Sequence, residues 1–581
     1  MVNLNYELRY NFPRDASCLR EILRQRKVED VDKFLHPTAD CELNPTLLDN
    51  VDKAIDVMWK HIKKGSRICI VVDCDCDGYT SASLLWLYIK NQNPKANLSY
   101  VLHTEKQHGL EDQVERLVNE KYDLVILPDA GSFDGPYLQQ LNEIGTEVCC
   151  LDHHSQPVDY DMECDTPPNT IIVNNQLCDY PNKELCGVGI VYKTCRRWDE
   201  RFNTHFAPQY KDLVALGNIA DVMFMGSTET RFYIMDVLNH IQNEGFRALI
   251  RAQHKSLKDK IDEVSMSGMS PQDVGFLISP LINAIIRMGS MEEKELLFIS
   301  FIDPHRIIDG KTAAETLCDI APVIRNRQNA TKKRATELLE YRIYEQGLND
   351  NNIIVVEAED GDHIPNTLTG LIAGDLLNKF NRPVMLVRES DNGELRGSQR
   401  SNANFEGLPD FRSFLENSGY IISAVGHPNA SGVNMKKSNL KGLLNYANKV
   451  LDSEKFQNLD YQVDYVFHAY EEGLYIVGME VAAHDNCFGN GVDEVKCIVR
   501  NVPLASFKLM GTNQESTKIT CNGIDYIKFK DLDFAQMVLD NCDKSVDVYG
   551  KFRLNEWAGR QTLQILIEDY ELNEQKDFMN L

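Results

Sequence analysis

Short apolar runs that end in acidic residues set the pattern of this chain. Residues 68–72 read Ile-Cys-Ile-Val-Val, residues 124–127 Leu-Val-Ile-Leu and residues 148–151 Val-Cys-Cys-Leu. Each is apolar throughout and short for a helix, as expected of a strand buried on both faces of a parallel sheet. Between and around them, 81–89 and 110–119 carry apolar residues at helical spacing. Strands that alternate with helices predict an α/β fold, a parallel sheet with helices on both faces. This region is expected over 66–325. Ahead of it, helical spacing at 19–25, 28–35 and 48–62 predicts a helical cap over 1–65. After it, a helix-favouring basic stretch at 324–346, with Arg325, Arg327, Lys332, Lys333 and Arg334, predicts a long connecting helix, assigned 326–350. A smaller α/β region follows over 351–455, with strand 353–357, helix 368–380 and strand 384–388. The last region, 456–581, reads as β-rich. There 546–552 and 563–567, around a turn at 555–559, predict a hairpin of a small barrel.

The runs end in chemistry. The first enters Asp73-Cys74-Asp75-Cys76-Asp77-Gly78, the second Pro128-Asp129-Ala130-Gly131, the third Asp152-His153-His154, and Asp221 follows the apolar helical stretch 213–220. Open α/β sheets bind ligands beyond the carboxyl ends of their strands. Carboxylates gathered at that edge repel one another unless a cation holds them, and oxygen donors with an imidazole suit Mg²⁺ or Mn²⁺. Asp73, Asp75, Asp77, Asp129, His153 and Asp221 are too many for one catalytic ion with open positions. They suit two ions about 4 Å apart that share a carboxylate, a pair that activates water and clamps a phosphoryl centre. His154 is read as a donor to the leaving or non-bridging oxygen, with a plain role in positioning Asp152 as the alternative. The stretch Gly426-His427-Pro428-Asn429-Ala430-Ser431-Gly432, with Arg400 and Ser401 nearby in sequence, is read as a glycine-rich turn that cradles a phosphate, against a plain loop.

Composition narrows the partners. The chain has 581 residues, enough for two to four domains, with 43% apolar and 25% charged residues and a net charge of −26. Such acidity argues against broad, non-specific nucleic-acid affinity but leaves room for a locally basic groove. No apolar run approaches the roughly 18 residues of a membrane span, and residues 1–14 carry no secretory segment, so a cytoplasmic protein without a membrane partner is expected. The 16 cysteines form no matched pair of CxxC motifs and are read as small buried hydrophobes.

Taken together, these motifs resemble the DHH phosphoesterase superfamily. Asp73-x-Asp75-x-Asp77-Gly78, Asp129-Ala130-Gly131, Asp152-His153-His154 and Asp221 look like its four motifs, and the Gly426–Gly432 stretch looks like the signature of its DHHA1 domain. Within the superfamily the chain is most similar to the RecJ-type single-strand-specific DNA exonucleases. The further likenesses are Phe34-Leu35-His36-Pro37, the stretch 185–193, Pro280-Leu281-Ile282-Asn283-Ala284 through Gly289, and 550–560, in the family's order.

The resemblance implies a DHH domain, a DHHA1 domain and an oligonucleotide-binding barrel. Asp73 and Asp75 would hold one ion, Asp77, His153 and Asp221 the other, with Asp129 bridging and Asp152 in support. Arg287, Arg400, Ser401, Gly426 and His427 would hold substrate phosphates. The implied activity is metal-dependent hydrolysis of single-stranded DNA from the 5′ end to 5′ mononucleotides, in recombination, repair and replication. Mn²⁺ is the expected ion and Mg²⁺ the alternative, with a single-strand-binding protein or a helicase as a further partner. The chain departs from the family at His103-Thr104-Glu105-Lys106-Gln107-His108-Gly109-Leu110, which lacks the family's arginine and offers Lys106 or His108 instead. Val425 also replaces a glycine ahead of Gly426. Divergence of this kind suits a phage- or prophage-encoded relative. Two other readings stand beside this one. The first is a DHH phosphodiesterase acting on short RNA or cyclic dinucleotides, and the second is a non-catalytic DNA-tethering scaffold on the same fold.

Overall fold

The computed structural model describes every residue except 1–3, 15–17, 105–106, 158–159, 239, 258–267, 391, 457–460, 558–559 and 574–581. Lys106 therefore lies outside the described residues. The three apolar runs are strands, β1 (Ile68–Val72), β3 (Leu124–Pro128) and β4 (Glu147–Asp152), joined by β2 (Leu98–Leu102) and β5 (Thr170–Asn174). The sheet order is β2-β1-β3-β4-β5, and every pairing is parallel. Ile68, Ile70 and Val72 enter the large core on one face, while Cys69 and Val71 enter a second core on the other. This is why β1 is apolar throughout. The chain order reverses between β1 and β3, and in this topology that switch point opens a crevice at the carboxyl ends of the strands.

Helix α1 (Cys76–Gln92) follows β1 directly, with Asp75 as its N-cap accepting the Gly78 N–H at 2.9 Å. Helices α2 (Gly187–Phe202), α3 (Lys211–Ala220) and α4 (Ser279–Met288) complete the surroundings of the crevice. The long helix α5 spans Ala313–Glu345, starting upstream of residue 324 and running through Pro322. A capping box between Thr312 and Glu315 fixes its start. Beyond it, β6 (Ile354–Glu357), α6 (Thr369–Phe380), β7 (Val384–Glu389), β8 (Glu394–Arg400), β9 (Ser423–His427) and β10 (Ala430–Lys436) form the smaller α/β unit. Its sheet order is β9-β10-β8-β7-β6. The glycine-rich stretch expected to be a turn is mostly strand. Gly426 pairs with Ser431 and His427 with Ala430 across the β9–β10 hairpin, leaving Pro428 and Asn429 as the turn.

The C-terminal region is a seven-stranded mixed sheet whose first and last strands are not paired with each other. Its expected hairpin is longer than read from sequence, pairing Ser545–Trp557 with Arg560–Asn573. Asn555 thus belongs to a strand, and residues 558 and 559 of the expected turn lie outside the described residues. The N-terminal helices do more than cap the catalytic sheet, because they share one core with it and with the C-terminal sheet. Strand Tyr6–Leu8 pairs in parallel with Tyr461–Val463. Arg26, buried with Asp464, makes two hydrogen bonds to its carboxylate at 2.7 and 2.8 Å. No described helix is long and apolar enough to cross a membrane.

Removing one partner of a buried pair leaves an uncompensated charge, at a cost of roughly 3–5 kcal/mol. Arg26→Met is expected to lower the urea unfolding midpoint strongly. Arg26→Met combined with Asp464→Leu is expected to recover most of the loss. Equal destabilisation in both variants would show that the ion pair is not what ties the chain ends together.

Candidate metal centre

The first strand end supplies three carboxylates in three different settings. Asp73 leaves β1 and accepts the Gly109 N–H at 3.0 Å, with His108 Nδ1 at 2.5 Å from its other oxygen. Asp75 caps α1. Asp77, in the first turn of α1, accepts the N–H groups of Gly187 and Val188 at 2.6 and 3.1 Å, at the N-terminus of α2. The Cys186 thiol donates to it at 3.1 Å.

Asp129 follows β3 in the left-handed region, with φ 69°, and Val222, after Asp221, has φ 57°. Both are uncommon for residues with a Cβ, and the β-branched valine the more so. Two glycines let helices approach this point. A Cβ on Gly187 would stand 2.4 Å from Asp129 Cβ, and one on Gly217 would stand 2.6 Å from Asp77 Oδ1. Asp129 Oδ1 is buried and makes no hydrogen bond. His153 Nε2 stands 3.2 Å from that atom, 3.6 Å from Asp221 Oδ2 and 3.9 Å from Asp77 Oδ2.

The expected ligands come together in two groups. Oxygens of Asp73, Asp75 and Asp129 lie within 4.8 Å of one another, as do donors of Asp77, His153 and Asp221. Burial, then repulsion from Asp77, Asp75, Asp73 and Asp221, pushes the Asp129 carboxyl well above the usual range. Burial, then the charges of Asp77 and Asp75, carries Asp221 up to about 8. Burial, then Asp75, carries Asp77 up to about 6. His153 is held neutral, with burial and then His154 lowering it to about 4. An orphaned buried oxygen, mutually repelling carboxylates and a neutral imidazole make a donor set that fits divalent cations.

Asp152 does not join the donors. Its carboxylate accepts the N–H groups of Ser132, His153 and His154 at 3.1, 2.7 and 3.2 Å, and His154 Nδ1 lies 2.7 Å from it. Burial opposes charge on His154, but Asp152 overrides it and raises the imidazole to about 9. Cys74 and Cys76 are buried thiols, pushed upward by desolvation.

Of the expected phosphate contacts, Arg287 reaches the cleft. It lies on α4 with Asn283 and lines the space bounded by Asp75, Asp77, His108 and Asp221. The smaller unit meets it there, for Thr367 Oγ1 donates to the Arg287 carbonyl at 2.9 Å. Burial, then the charge of Arg287, lowers the Arg400 pKa. Among the described residues neither arginine has a carboxylate within ion-pair distance. Ser401 Oγ is buried without a hydrogen bond. Gly426 and His427 sit on an exposed strand, where the Gly426 carbonyl accepts from Arg412 Nη1 at 2.6 Å. Among the described residues no hydrogen bond or ion pair links them to the metal-site side chains.

Much of the basic charge on α5 is committed to ion pairs. Arg327 pairs with Glu293, Lys332 with Asp375 and Lys333 with Glu337, leaving Arg325 and Arg334 without an ion pair among the described residues. Sequence reasoning singled out Asn283 only as part of a similar segment. Its spacing of four from Arg287, which puts both on one face of α4, is the signal that marks it.

Residues 67–218 match the DHH family, N-terminal domain, and residues 481–569 match the RecJ OB domain. A putative SPbeta prophage-derived single-strand DNA-specific exonuclease, YorK of Bacillus subtilis, is 32% identical over 97% of this chain and 96% of its own length. The single-stranded-DNA-specific exonuclease RecJ of the same organism is 25% identical over 93% of this chain and 66% of its own. RecJ of Thermus thermophilus in complex with Mn²⁺ shares the fold, with a TM-score of 0.67 at 21% identity, covering 92% of this chain and 74% of that one. The chain belongs to the DHH family, in its RecJ-like branch. A prophage relative of equal extent agrees with the divergence seen in the motifs.

The raised carboxylates give a sign. In the metal-free protein Asp77 and Asp221 titrate at about 6 and about 8, above their ordinary value of 3.8. The folded chain then binds more protons than the unfolded one, and stability falls as pH rises from about 4 to about 8. Chelator-treated protein is expected to lose stability across that window, and saturating Mn²⁺ to restore it. Asp129→Asn is expected to raise the metal-free unfolding midpoint and to remove most of the Mn²⁺-dependent gain. A flat pH profile without metal would contradict the crowding.

Proposed function

We propose that this chain hydrolyses single-stranded DNA from the 5′ end and releases 5′ mononucleotides. The observation that carries the reading is the buried Asp129 carboxylate, whose Oδ1 makes no hydrogen bond, set among five further donors beside a cleft that Arg287 lines. The 5′ polarity rests on likeness to the family. Asp73 and Asp75 would hold one ion and Asp77, His153 and Asp221 the other, with Asp129 available to both. Mn²⁺ is the expected occupant and Mg²⁺ the alternative. When bound, such a pair supplies an activated water and positive charge at the phosphoryl oxygens.

The chain's own groups do the rest. Arg287 lines the cleft without a carboxylate partner, free to hold the scissile phosphate as a charged fork, and Arg400, near enough to feel its charge, would hold a neighbouring one. Ser401, Gly426 and His427 extend that wall along the smaller unit. Asp152 keeps His154 protonated and oriented, so its Nε2–H is available to an oxygen that gains charge or leaves. The C-terminal sheet offers a track for the strand beyond the site, where stacking and backbone contacts tolerate any sequence. A track of that length favours a polymer over a dinucleotide. A cytoplasmic setting, with a single-strand-binding protein or a helicase delivering the substrate, completes the proposal.

The test is an oligonucleotide labelled at either end and digested with Mn²⁺, beside Asp129→Ala. Prompt release of the 5′ label as a mononucleotide, abolished in the variant, is expected. Release from the 3′ end would overturn the polarity. An intact strand with turnover of a dinucleotide would overturn the substrate. Arg287→Ala is expected to raise KM by about 10- to 100-fold, the worth of a charge-assisted hydrogen bond of roughly 1.5–3 kcal/mol.

A further inference from the structure

His108 has no place in the ligand scheme above, yet it stands at the site. Its Nδ1 lies 2.5 Å from Asp73 Oδ2, and it lines the same cleft as Asp75, Asp77, Asp221, Asn283 and Arg287. Its backbone is fixed there, because the next residue, Gly109, donates its N–H to the other Asp73 oxygen at 3.0 Å. Leu110 N–H in turn bonds Asp134 at 2.8 Å. The other nearby imidazole is already engaged, since His103 Nδ1 bonds Asp112 at 2.7 Å and its Nε2 lies 3.8 Å from Asp73. Donor atoms of Asp73, Cys74 and His108 lie within 4.8 Å of one another. The Cys74 thiol is buried, and a soft sulfur donor suits Mg²⁺ or Mn²⁺ less well than an imidazole.

Building on the two-ion reading above, we infer that His108 is an additional ligand, through Nδ1, to the ion held by Asp73 and Asp75. Two donors on adjacent positions of an octahedral ion with bonds near 2.1 Å stand about 3 Å apart. The observed spacing of His108 and Asp73 needs only a small opening to admit one. The donor sets agree. Without His108 the first group is three carboxylates, while the second has two carboxylates and His153. With His108 each ion has one imidazole. An imidazole nitrogen discriminates against Mg²⁺, which keeps to oxygen, and accepts Mn²⁺. His108 therefore makes the first position selective for Mn²⁺, a trait carried by this chain's own departure at residues 103–110.

The test reads the metal directly. Pulsed electron paramagnetic resonance on Mn²⁺-loaded full-length chain detects nitrogen bound to the ion. In His153→Asn, a nitrogen coupling is expected to remain and to vanish in His153→Asn combined with His108→Asn. Mn²⁺ calorimetry on His108→Asn is expected to show one of two binding events weakened about 10- to 100-fold, as loss of a metal-site partner does, with Mg²⁺ affinity little changed. No residual coupling in His153→Asn, or a residual coupling that survives the double substitution, would overturn the assignment. It would leave His108 as a hydrogen-bonding or phosphate-contacting residue, with the two-ion reading intact. Absence of Mn²⁺ binding by the unmodified chain would overturn both.

Discussion

Crowding of like charge at one edge of a sheet is the constraint on which this molecule is arranged. Asp73, Asp75, Asp77, Asp129 and Asp221 are directed to one small volume that three of them share almost without water. Such an arrangement is unfavourable unless cations occupy it, so the surrounding fold has to impose it. The parallel sheet does this by being buried on both faces, which fixes the ends of β1, β3 and β4 by packing rather than by the residues that follow them. The strain appears where it is least expected on propensity alone, at the positive φ of Asp129 and Val222. Gly187 and Gly217 are the complement of that strain. They bring α2 and α3 so close to Asp129 and Asp77 that any side chain would displace the carboxylates.

The rest of the chain closes around this edge. The N-terminal helices and the C-terminal sheet share a core with the catalytic unit, and the buried Arg26–Asp464 pair joins sequence-distant segments at its margin. The long α5 carries the smaller α/β unit to the far side of the cleft, where Arg400 comes near enough to Arg287 to feel its charge. A protein of net charge −26 can meet a polyanion only if its positive charge is concentrated. Pairing achieves this by subtraction. Lys496, Lys551 and Arg553 on the C-terminal sheet are tied to Glu494 or Glu568, and most of the basic helix is tied to acidic neighbours. The guanidinium of Arg287 is left without an ion pair at the cleft, with that of Arg400 near it.

The ends of β1, β3 and β4 were legible because burial on both faces demands apolar residues at every position, and the acids that follow have no structural reason to be there. Asp221 was legible by the same contrast. The smaller unit was harder. Gly426 to Gly432 suggests a turn by composition, but pairing with β8 holds most of it in a hairpin, a fact of the sheet and not of the segment. The start of α5 was missed because a proline ordinarily interrupts a helix, whereas Pro322 lies within this one. The pairing of the basic residues of α5 is not legible in the sequence, because the partners Glu293 and Asp375 lie far from them along the chain. His108 was visible as a departure from the family, but only the fold shows that it faces Asp73.

The adjacent histidines show how finely one edge can divide two identical side chains. His153 and His154 leave the same strand end and point to different neighbours. His153 is nearly enclosed by Asp129, Asp221 and Asp77, yet burial keeps it neutral, as a metal ligand must be. His154 is half exposed, at 48%, and bound through Nδ1 to Asp152, which holds it protonated. Asp152 stays ionised in full burial chiefly through the charge and hydrogen bond of His154, with three backbone N–H groups satisfying its oxygens. Asp152 thus sets the charge of His154 directly and bears on His153 through it, where burial is the larger cause. It orients a cationic donor towards the substrate side, and the charge it sustains on His154 helps keep His153 neutral. A single buried aspartate with well-satisfied oxygens therefore holds one imidazole of the dipeptide charged beside a neutral one, the division that a metal ligand and a proton donor would need.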